Sequence, residues 1–313
     1  MTTDASVSVV IPTRDRLMLL RATLDSVLAQ RGVDLEVVVV DDGSRQDLDE
    51  VLADIGDPRV RLCRHEASRG VAAARNAGVA AARYAWIAFC DDDDLWSPDK
   101  LSFQLAVAIT ERREWAYTGA VEVDADLRIV GGVPPDPPSI VVRNLERWDA
   151  VPAGASNVVV RRTALLAVGG FDPSLPHLDD WDMWLRLARH GVPAYVRSPL
   201  VAYRQHPGQR SLNASASLAE VRLFEERNGV TIDRAAFHIY GAEQELKSGR
   251  LGSASWALAR SVRASRRPVP GALHGVKMLA AAVIGRRSTI PSNVDSWRRS
   301  ATWLEDARRA VPS

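Results

Sequence analysis

The fold of this chain is decided by one segment, Trp86-Ile87-Ala88-Phe89-Cys90-Asp91-Asp92-Asp93-Asp94-Leu95-Trp96-Ser97-Pro98-Asp99-Lys100. Its apolar run ends at Cys90, and a short run with aromatic residues is typical of a strand covered on both faces. Ser97 or Asp94 can cap a following helix, in which Pro98 suits the first position. The segment therefore predicts a buried strand, an acidic turn and a helix.

The acidic turn places four carboxylates side by side. Adjacent carboxylates repel one another, so a folded chain that keeps them together has to stabilise them. Oxygen ligands at a strand end suit Mg²⁺ or Mn²⁺, which proteins hold with one or two carboxylates plus phosphate oxygens of a substrate. The alternative is a solvated turn that caps a helix. A second acidic pair, Asp41-Asp42, also follows an apolar run and favours the metal site.

Apolar runs and helical patterns alternate through the first hundred residues. The runs span residues 7–11, 35–40, 60–62 and 86–90, and the helical patterns span residues 16–29, 47–55 and 70–82. This alternation indicates an α/β fold with a Rossmann-like, mostly parallel central sheet flanked by helices. Ligands of such sheets bind beyond the carboxyl ends of the strands. Pro12-Thr13, Asp41-Asp42 and Asp91 to Asp94 follow three strands, so we expect them to share one crevice.

The pattern becomes mixed after residue 100. We expect helices over 101–111, 179–190, 216–227, 241–247, 254–264, 270–285 and 294–310, strands over 115–123, 156–161 and 193–203, and a loop over 130–138. We predict one domain over residues 1–210, with a nucleotide-binding half (1–100) and an acceptor-binding half (101–210). A helical C-terminal region (211–313) follows.

Composition excludes several functional classes. The 313 residues are 46% hydrophobic and 25% charged, with a formal net charge of +1, so no nucleic-acid partner is expected. No basic, apolar leader opens the chain and no apolar run approaches about 18 residues, so we expect a cytoplasmic protein. From Lys247 onward, about 13 basic residues face three acidic ones. This basic tail predicts peripheral contact with a membrane surface, with a packing appendage or an oligomer contact as alternatives.

With these patterns in view, residues 6 to 210 resemble a family 2 glycosyltransferase of the GT-A fold. The resemblance rests on an ordered set of motifs rather than on any single one. The motifs are Ser8 to Arg16, Ser26 to Gln30, Val40 to Ser44, Gly70 with Ala74-Arg75-Asn76, Asp91 to Asp94 with Pro98 and Lys100-Leu101, Gly169 to Asp172, Asp180 to Leu187, and Tyr203 to His206.

The resemblance implies transfer of a sugar from a nucleotide-diphosphate sugar donor to a hydroxyl of a glycan or lipid-linked acceptor. It implies a Mn²⁺ or Mg²⁺ ion held by Asp93, and we include His206 as a second ligand, with a structural histidine as the alternative. Asp91 matches the position near the ribose or the metal-bound water, and Asp92 occupies the variable position between them. Arg204 is expected to reach the diphosphate.

The resemblance also implies a nucleoside pocket. Asp42 matches the aspartate that accepts a hydrogen bond from the base, and three further residues of the pocket are Pro12, Thr13 and Arg16. Arg69 and Arg75 could face the base or the phosphates from a helix start, or could be a surface and a packing residue.

The general base implied by the resemblance is Asp180, which would remove the acceptor proton. The family more often has Glu before it, and here Asp179 takes that place, so either carboxylate could be the base. Acidic residues also favour any helix N-terminus, which is the structural alternative. Ser156, in Gly154-Ala155-Ser156, resembles a loop beneath the acceptor. Trp181 and Trp184 are predicted to lie in the core.

Two rival functions remain at this point. A sugar-nucleotide nucleotidyltransferase shares a related fold, but Pro12 to Arg16 lacks its glycine-rich loop. A non-catalytic nucleotide-sugar binding module would have lost carboxylates that are present here. The motif Gln-x-x-Arg-Trp of processive members is not found in the sequence. We therefore expect an inverting enzyme that adds one sugar at a time, in cell-envelope or exopolysaccharide synthesis.

Overall fold

The structure is a computed structural model that describes residues 5–206, 209, 214–247, 251–264 and 294–310. The helix predicted over residues 270–285 lies outside these ranges. The first half consists of β1 (Ser6–Thr13), α1 (Leu17–Leu28), β2 (Asp34–Asp41), α2 (Leu48–Ile55), β3 (Val60–Arg64), α3 (Val71–Ala81) and β4 (Trp86–Phe89). Every strand and helix predicted for this half is present.

The second half contains more strands than the sequence predicted. Its elements are β5 (Leu95–Trp96), α4 (Lys100–Thr110), β6 (Trp115–Val123), β7 (Ile129–Val133), α5 (Pro138–Asn144), a 3₁₀ turn (Gly154–Asn157), β8 (Val159–Arg161), α6 (Arg162–Ala167), α7 (Asp179–His190) and β9 (Ala194–Arg204). The C-terminal region contains α8 (Ala214–Asn228), α9 (Arg234–Lys247), α10 (Leu251–Ala264), α11 (Val294–Ser300) and α12 (Trp303–Ala310).

Nine strands of the described ranges form one mixed sheet in the order β3-β2-β1-β4-β8-β6-β9-β5, with β7 paired to β6. The strands β3, β2, β1 and β4 are parallel, as predicted. Antiparallel pairs join β4 to β8, β8 to β6 and β9 to β5, whereas β6 and β9 are parallel. The α/β class of the GT-A type is therefore confirmed, with a parallel half and a mixed half.

The apolar runs of the central strands are continuous because each strand is covered on both faces. Val37 and Val39 of β2 belong to one buried cluster, while Val38 and Val40 belong to the cluster on the other face. Helix α3 can approach this sheet closely at Gly78, where an added Cβ would lie 2.3 Å from a Val10 methyl group. Successive residues of a strand point to opposite faces of the sheet. A strand that is buried on both faces therefore needs apolar residues at every position.

The acidic turn does not lead directly into a helix as predicted. Leu95–Trp96 first pairs with β9, and α4 begins only at Lys100, without a side-chain cap from Asp99. Asp94 instead accepts a hydrogen bond from the backbone N–H of Arg204, 3.0 Å away. The predictions of a helix cap by Asp94 or Ser97 are wrong. Both residues form hydrogen bonds with β9 instead: Asp94 accepts from Arg204, and the backbone N–H of Ser97 donates to the carbonyl of Leu200.

Three other boundaries also differ from the predictions. Residues 130–133, predicted as part of the loop over 130–138, belong to β7, which pairs with β6. Residues 154–157 form a 3₁₀ turn before a shorter strand, and residues 294–310 form two helices rather than one. Within the described ranges, no helix is both long enough and apolar enough to cross a bilayer.

The C-terminal helices pack onto the preceding domain. Val221 and Phe224 of α8 enter the larger buried cluster, and the Glu220 carboxylate accepts the backbone N–H groups of His177 and Leu178 just before α7. Helix α8 therefore fixes the start of α7. The boundary at residue 210 stays a prediction.

Candidate active site

The carboxyl ends of β1, β2 and β4 meet at one edge of the sheet, as predicted. The backbone N–H of Asp42 donates to the carbonyl of Thr13 at 2.9 Å, and the Thr13 hydroxyl donates to Asp92 Oδ2 at 2.7 Å. Pro12 lies one residue earlier in β1, opposite Val40. The residues that follow three separate strands are thus joined directly to one another.

The middle of the acidic turn is paired with a half-exposed arginine. Arg16 Nη1 lies 3.2 Å from Asp92 Oδ1 and 2.9 Å from Asp93 Oδ2. His206 Nε2 lies 2.9 Å from that same oxygen of Asp93. The predicted metal ligands, Asp93 and His206, are therefore brought together although 113 positions separate them.

Burial explains the electrostatics of the turn. The pKa of Asp92 is raised to about 7, first because the carboxyl is buried and second because the Asp93 carboxylate lies beside it; Arg16 offsets this only in part. Burial raises the pKa of Asp94 as well, again with help from Asp93. The crowded carboxylates therefore favour any cation that can enter.

Arg204 lies beneath the turn with only 7% of its surface exposed. Its Nε and Nη2 atoms find no hydrogen-bond partner among the described residues. Burial lowers the pKa of this guanidinium, which Asp94 and Asp93 counteract. A buried donor without a partner costs about 1–3 kcal/mol. These two Arg204 atoms have no exposed surface, so an anion could reach them only after the turn had moved.

Asp42 is buried, and its carboxylate holds the segment that leads into α3. Its carboxylate lies 2.8 Å from His65 Nδ1 and accepts hydrogen bonds from the Ser68 hydroxyl and from the backbone N–H groups of Arg69 and Gly70. Burial alone would raise the pKa of Asp42, but these four bonds hold it below the usual range. Because four bonds fill the acceptor capacity of a carboxylate, a base could bind Asp42 only by replacing one of them.

A buried ion-pair triad connects the two halves of the site. Arg75, with no exposed surface, donates to Asp91 at 2.6 Å and to Asp179 at 2.5 Å. Its guanidinium lies 5.2 Å from the centre of the Phe171 ring, whose backbone is held on both sides by the Asn76 amide. Burial would lower the pKa of Arg75, but the surrounding carboxylates raise it. The side chains of Arg75 and Asp179 have no exposed surface, whereas that of Asp91 is 31% exposed. We call these three residues the buried triad, after its buried centre.

The two candidate bases differ in their surroundings. Asp179 is fully buried in the triad, whereas Asp180 is half-buried and its Oδ1 accepts the N–H of Trp181 at 2.8 Å. Asp180 is therefore the carboxylate of the pair that retains surface for a substrate. Trp181 and Trp184 are buried in the core, as predicted.

Three predicted substrate-binding residues require correction. Arg75, Asp179 and Ser156 have no exposed surface, so they cannot contact a substrate in this structure. The Ser156 hydroxyl accepts the backbone N–H of Asp91 at 2.9 Å. Arg75 and Ser156 hold Asp91 in place, and Arg75 also holds Asp179 at the start of α7. The side chain of Arg69 is exposed, and its backbone N–H is the group that contacts Asp42.

Two residues near the site were missed from the sequence. His65 follows β3, so the rule that ligands gather at strand ends could have found it. Asp149 follows α5 and has no motif around it. The pKa of Asp149 is raised, first because protein surrounds its carboxyl and then because Asp180 lies nearby, although the residue keeps an exposed surface.

A carboxylate oxygen such as Asp93 Oδ2 suits a hard divalent cation such as Mg²⁺ or Mn²⁺. The imidazole nitrogen of His206, 2.9 Å from that oxygen, would be the second protein ligand. Among the described residues, no three such side chains converge on one point. The remaining positions around an ion would therefore fall to phosphate oxygens and water, the pattern that Mg²⁺ commonly shows.

A sheet of this topology, with carboxylates gathered at its strand ends, is typical of glycosyltransferases of the GT-A fold. The chain belongs to glycosyl transferase family 2: the model of that family matches residues 8–165, and a model described as glycosyltransferase-like family 2 matches residues 139–240. The nucleotidyltransferase and binding-module alternatives are thereby set aside.

Known relatives agree with this family. The chain is 28% identical over 210 residues to WfaP of Escherichia coli, a UDP-Glc:alpha-D-GlcNAc-diphosphoundecaprenol beta-1,3-glucosyltransferase, covering 66% of this chain and 80% of the relative. Among solved structures, residues 1–349 of S. aureus TarS with UDP-GlcNAc align with a TM-score of 0.60 at 15% identity, covering 98% and 90% of the chains. The mannosyltransferase PcManGT of Pyrobaculum calidifontis, with GDP-Man and Mn²⁺, aligns with a TM-score of 0.54 at 18% identity, covering 99% and 88%.

The buried triad makes a prediction about stability. Replacing Arg75→Gln removes the guanidinium that pairs with the buried Asp179 carboxylate, so the free energy of unfolding should fall by about 3–5 kcal/mol in a urea titration. Arg45→Gln, which breaks an exposed pair with Asp15, is the matched control and should cost less than about 1 kcal/mol.

A second substitution tests whether the loss of stability in Arg75→Gln comes from the carboxylate that has lost its ion-pair partner. Adding Asp179→Asn to Arg75→Gln removes the stranded charge and should restore part of the lost stability. Equal losses for Arg75→Gln and Arg45→Gln would contradict the importance of the triad.

Proposed function

We propose that this enzyme transfers a sugar from a UDP-sugar to a hydroxyl of a lipid-diphosphate-linked glycan, with inversion, during synthesis of a cell-envelope polysaccharide. The observation that carries the proposal is the placement of Asp93, His206 and Arg204 on one side of the buried triad and Asp180 on the other. The choice of donor and acceptor is supported by the name of WfaP and by the UDP-GlcNAc complex of TarS.

In the proposed reaction, the acceptor oxygen attacks the anomeric carbon of the donor as its proton passes to Asp180. The bond from that carbon to the diphosphate oxygen breaks, and its electron pair leaves with the nucleotide diphosphate. A single displacement of this kind inverts the anomeric centre. A general base at Asp180 would contribute about 10²–10⁴-fold to the rate.

The leaving diphosphate needs positive charge. Arg204 has two nitrogen atoms, Nε and Nη2, that find no partner in the part of the chain that the structure describes, and Arg16 lies at the opening of the same edge. Asp93 and His206 would hold a Mn²⁺ or Mg²⁺ ion, which would stabilise charge on the phosphate oxygens when bound. The Pro12-Thr13 end of β1 and the loop fixed by Asp42 would surround the nucleoside.

A thermal-shift panel of UDP, GDP, dTDP and CDP, with and without Mn²⁺, tests the donor and metal assignments. UDP at about 100 times its dissociation constant should add about 2.7 kcal/mol to the free energy of unfolding, a rise in Tm of roughly 4 °C. Mn²⁺ should be required, because the phosphates otherwise face Asp92 and Asp93 directly. Asp93→Ala should abolish the Mn²⁺-dependent part, and the exposed Asp25→Ala should not.

Each outcome of the panel decides one part of the proposal. A response to GDP in place of UDP would overturn the donor assignment. An equal UDP response without Mn²⁺ would overturn the metal assignment and leave the charge to Arg16 and Arg204. The absence of a response to any nucleotide would contradict the proposed function.

We further propose that the enzyme lies in the cytoplasm and contacts the inner face of the membrane through α10. Trp256 is 56% exposed, and Arg260 lies 4.6 Å from its ring centre. Arg263 is exposed one turn further along, while Ala257 and Leu258 face α9. An exposed tryptophan flanked by arginines is typical of an interfacial helix. The tail arginines at 266, 267, 286 and 287 lie outside the described residues.

Flotation with liposomes tests the membrane contact. Binding to vesicles with anionic lipid should exceed binding to neutral vesicles, and Arg260→Gln with Arg263→Gln should weaken it about 30-fold, at about 1 kcal/mol per arginine. The exposed pair Arg45→Gln with Arg222→Gln is the matched control. Unchanged flotation of the α10 variant would favour a packing or oligomer role for this helix.

A further inference from the structure

The turn before the 3₁₀ segment lies directly against the candidate base. Gly154 adopts a left-handed conformation, with φ of +50°. A Cβ at this position would lie 2.6 Å from Asp180 Oδ2, closer than real Cβ contacts. Apart from the two chain neighbours of Gly154, no other residue of the described ranges approaches it within 4 Å. The missing side chain of Gly154 therefore leaves the space that the Asp180 carboxylate occupies.

The backbone around Gly154 is rigidly held. Asn157, which is fully buried, donates to the carbonyl oxygens of Pro152 and Thr118 at 2.7 Å each and accepts the N–H of Thr118 at 2.6 Å. Ala153 is also left-handed, with φ of +55°, which is uncommon for a residue with a side chain. Such a turn persists where its surroundings determine it, so the backbone would not yield to the carboxylate.

Asp180 is constrained on its other side by its own helix. Its Oδ1 accepts the N–H of Trp181, and the preceding Asp179 is anchored to Arg75. The carboxylate therefore lies between the start of α7 and the backbone of Gly154. A side chain at residue 154 would move the carboxylate rather than the turn.

We infer that Gly154 is a positioning residue for the transfer reaction, setting where Asp180 Oδ2 meets the acceptor hydroxyl. The inference rests on the proposed role of Asp180 as the base. Misplacing a catalytic group by about 1 Å can cost about 100-fold in rate. Gly154 therefore determines kcat while contributing little to donor binding.

The test compares Gly154→Ala, Asp180→Ala and the double variant in UDP release from UDP-glucose, with N-acetylglucosaminyl diphosphoundecaprenol as acceptor. Gly154→Ala should lower kcat about 100-fold and leave the UDP dissociation constant unchanged. The double variant should be no slower than Asp180→Ala, because residues acting through one group are not additive.

The control is Gly229→Ala, at an exposed glycine with φ of +62° and no atom within 4 Å of its Cβ position. It carries the same backbone strain without the contact, so its kcat should equal that of the wild type and its Tm should match that of Gly154→Ala. A lower Tm for Gly154→Ala than for Gly229→Ala, with kcat unchanged, would indicate a merely structural glycine.

The remaining outcomes separate the two claims. A slow Asp180→Ala with a fast Gly154→Ala would overturn the inference and retain the proposed base. Additive losses in the double variant would show that Gly154 acts apart from Asp180, which also overturns it. An Asp180→Ala variant that turns over like the wild type would overturn the base assignment and the inference together.

Discussion

A fully buried guanidinium has to be matched by charge, and Arg75 is matched by one carboxylate from each half of the site. Asp91 begins the acidic turn after β4, and Asp179 begins the helix that carries the candidate base. Removing either partner would leave a charge in a low-dielectric interior, which proteins tolerate poorly. The ion pairs of Arg75 therefore hold the acidic turn and the start of α7 in a fixed relative position.

The remaining charges of the site follow from this arrangement. The Asp91 carboxylate is neutralised by Arg75, whereas the buried carboxylates of Asp92 and Asp93 lie against Arg16, and Asp93 also lies against His206. The pKa of Asp92 is raised first by burial and then by the neighbouring Asp93 carboxylate, and Arg16 offsets only part of this. A metal-bound diphosphate would bring both the cation that these carboxylates favour and an anion that Arg204 could accept once the turn had moved.

Much of the fold and part of the site could be predicted from the sequence. The parallel half follows from continuous apolar runs, and the crevice follows from polar residues at the ends of those runs. Burial could not be predicted in this way: Arg75, Ser156 and Asp179 carry polar side chains, and only distant partners show that they lie inside. The strand β5 is two residues long and depends on β9, and the contact of Gly154 with Asp180 joins segments 26 positions apart in the chain.

The central claim is that Asp180, and not Asp179, removes the acceptor proton. The most direct measurement is the transfer rate of Asp180→Asn with UDP-glucose and the lipid-linked acceptor, with the UDP dissociation constant measured on the same protein. The account predicts a rate lowered by about 10²–10⁴-fold with UDP affinity retained. A rate like that of the wild type would contradict the account.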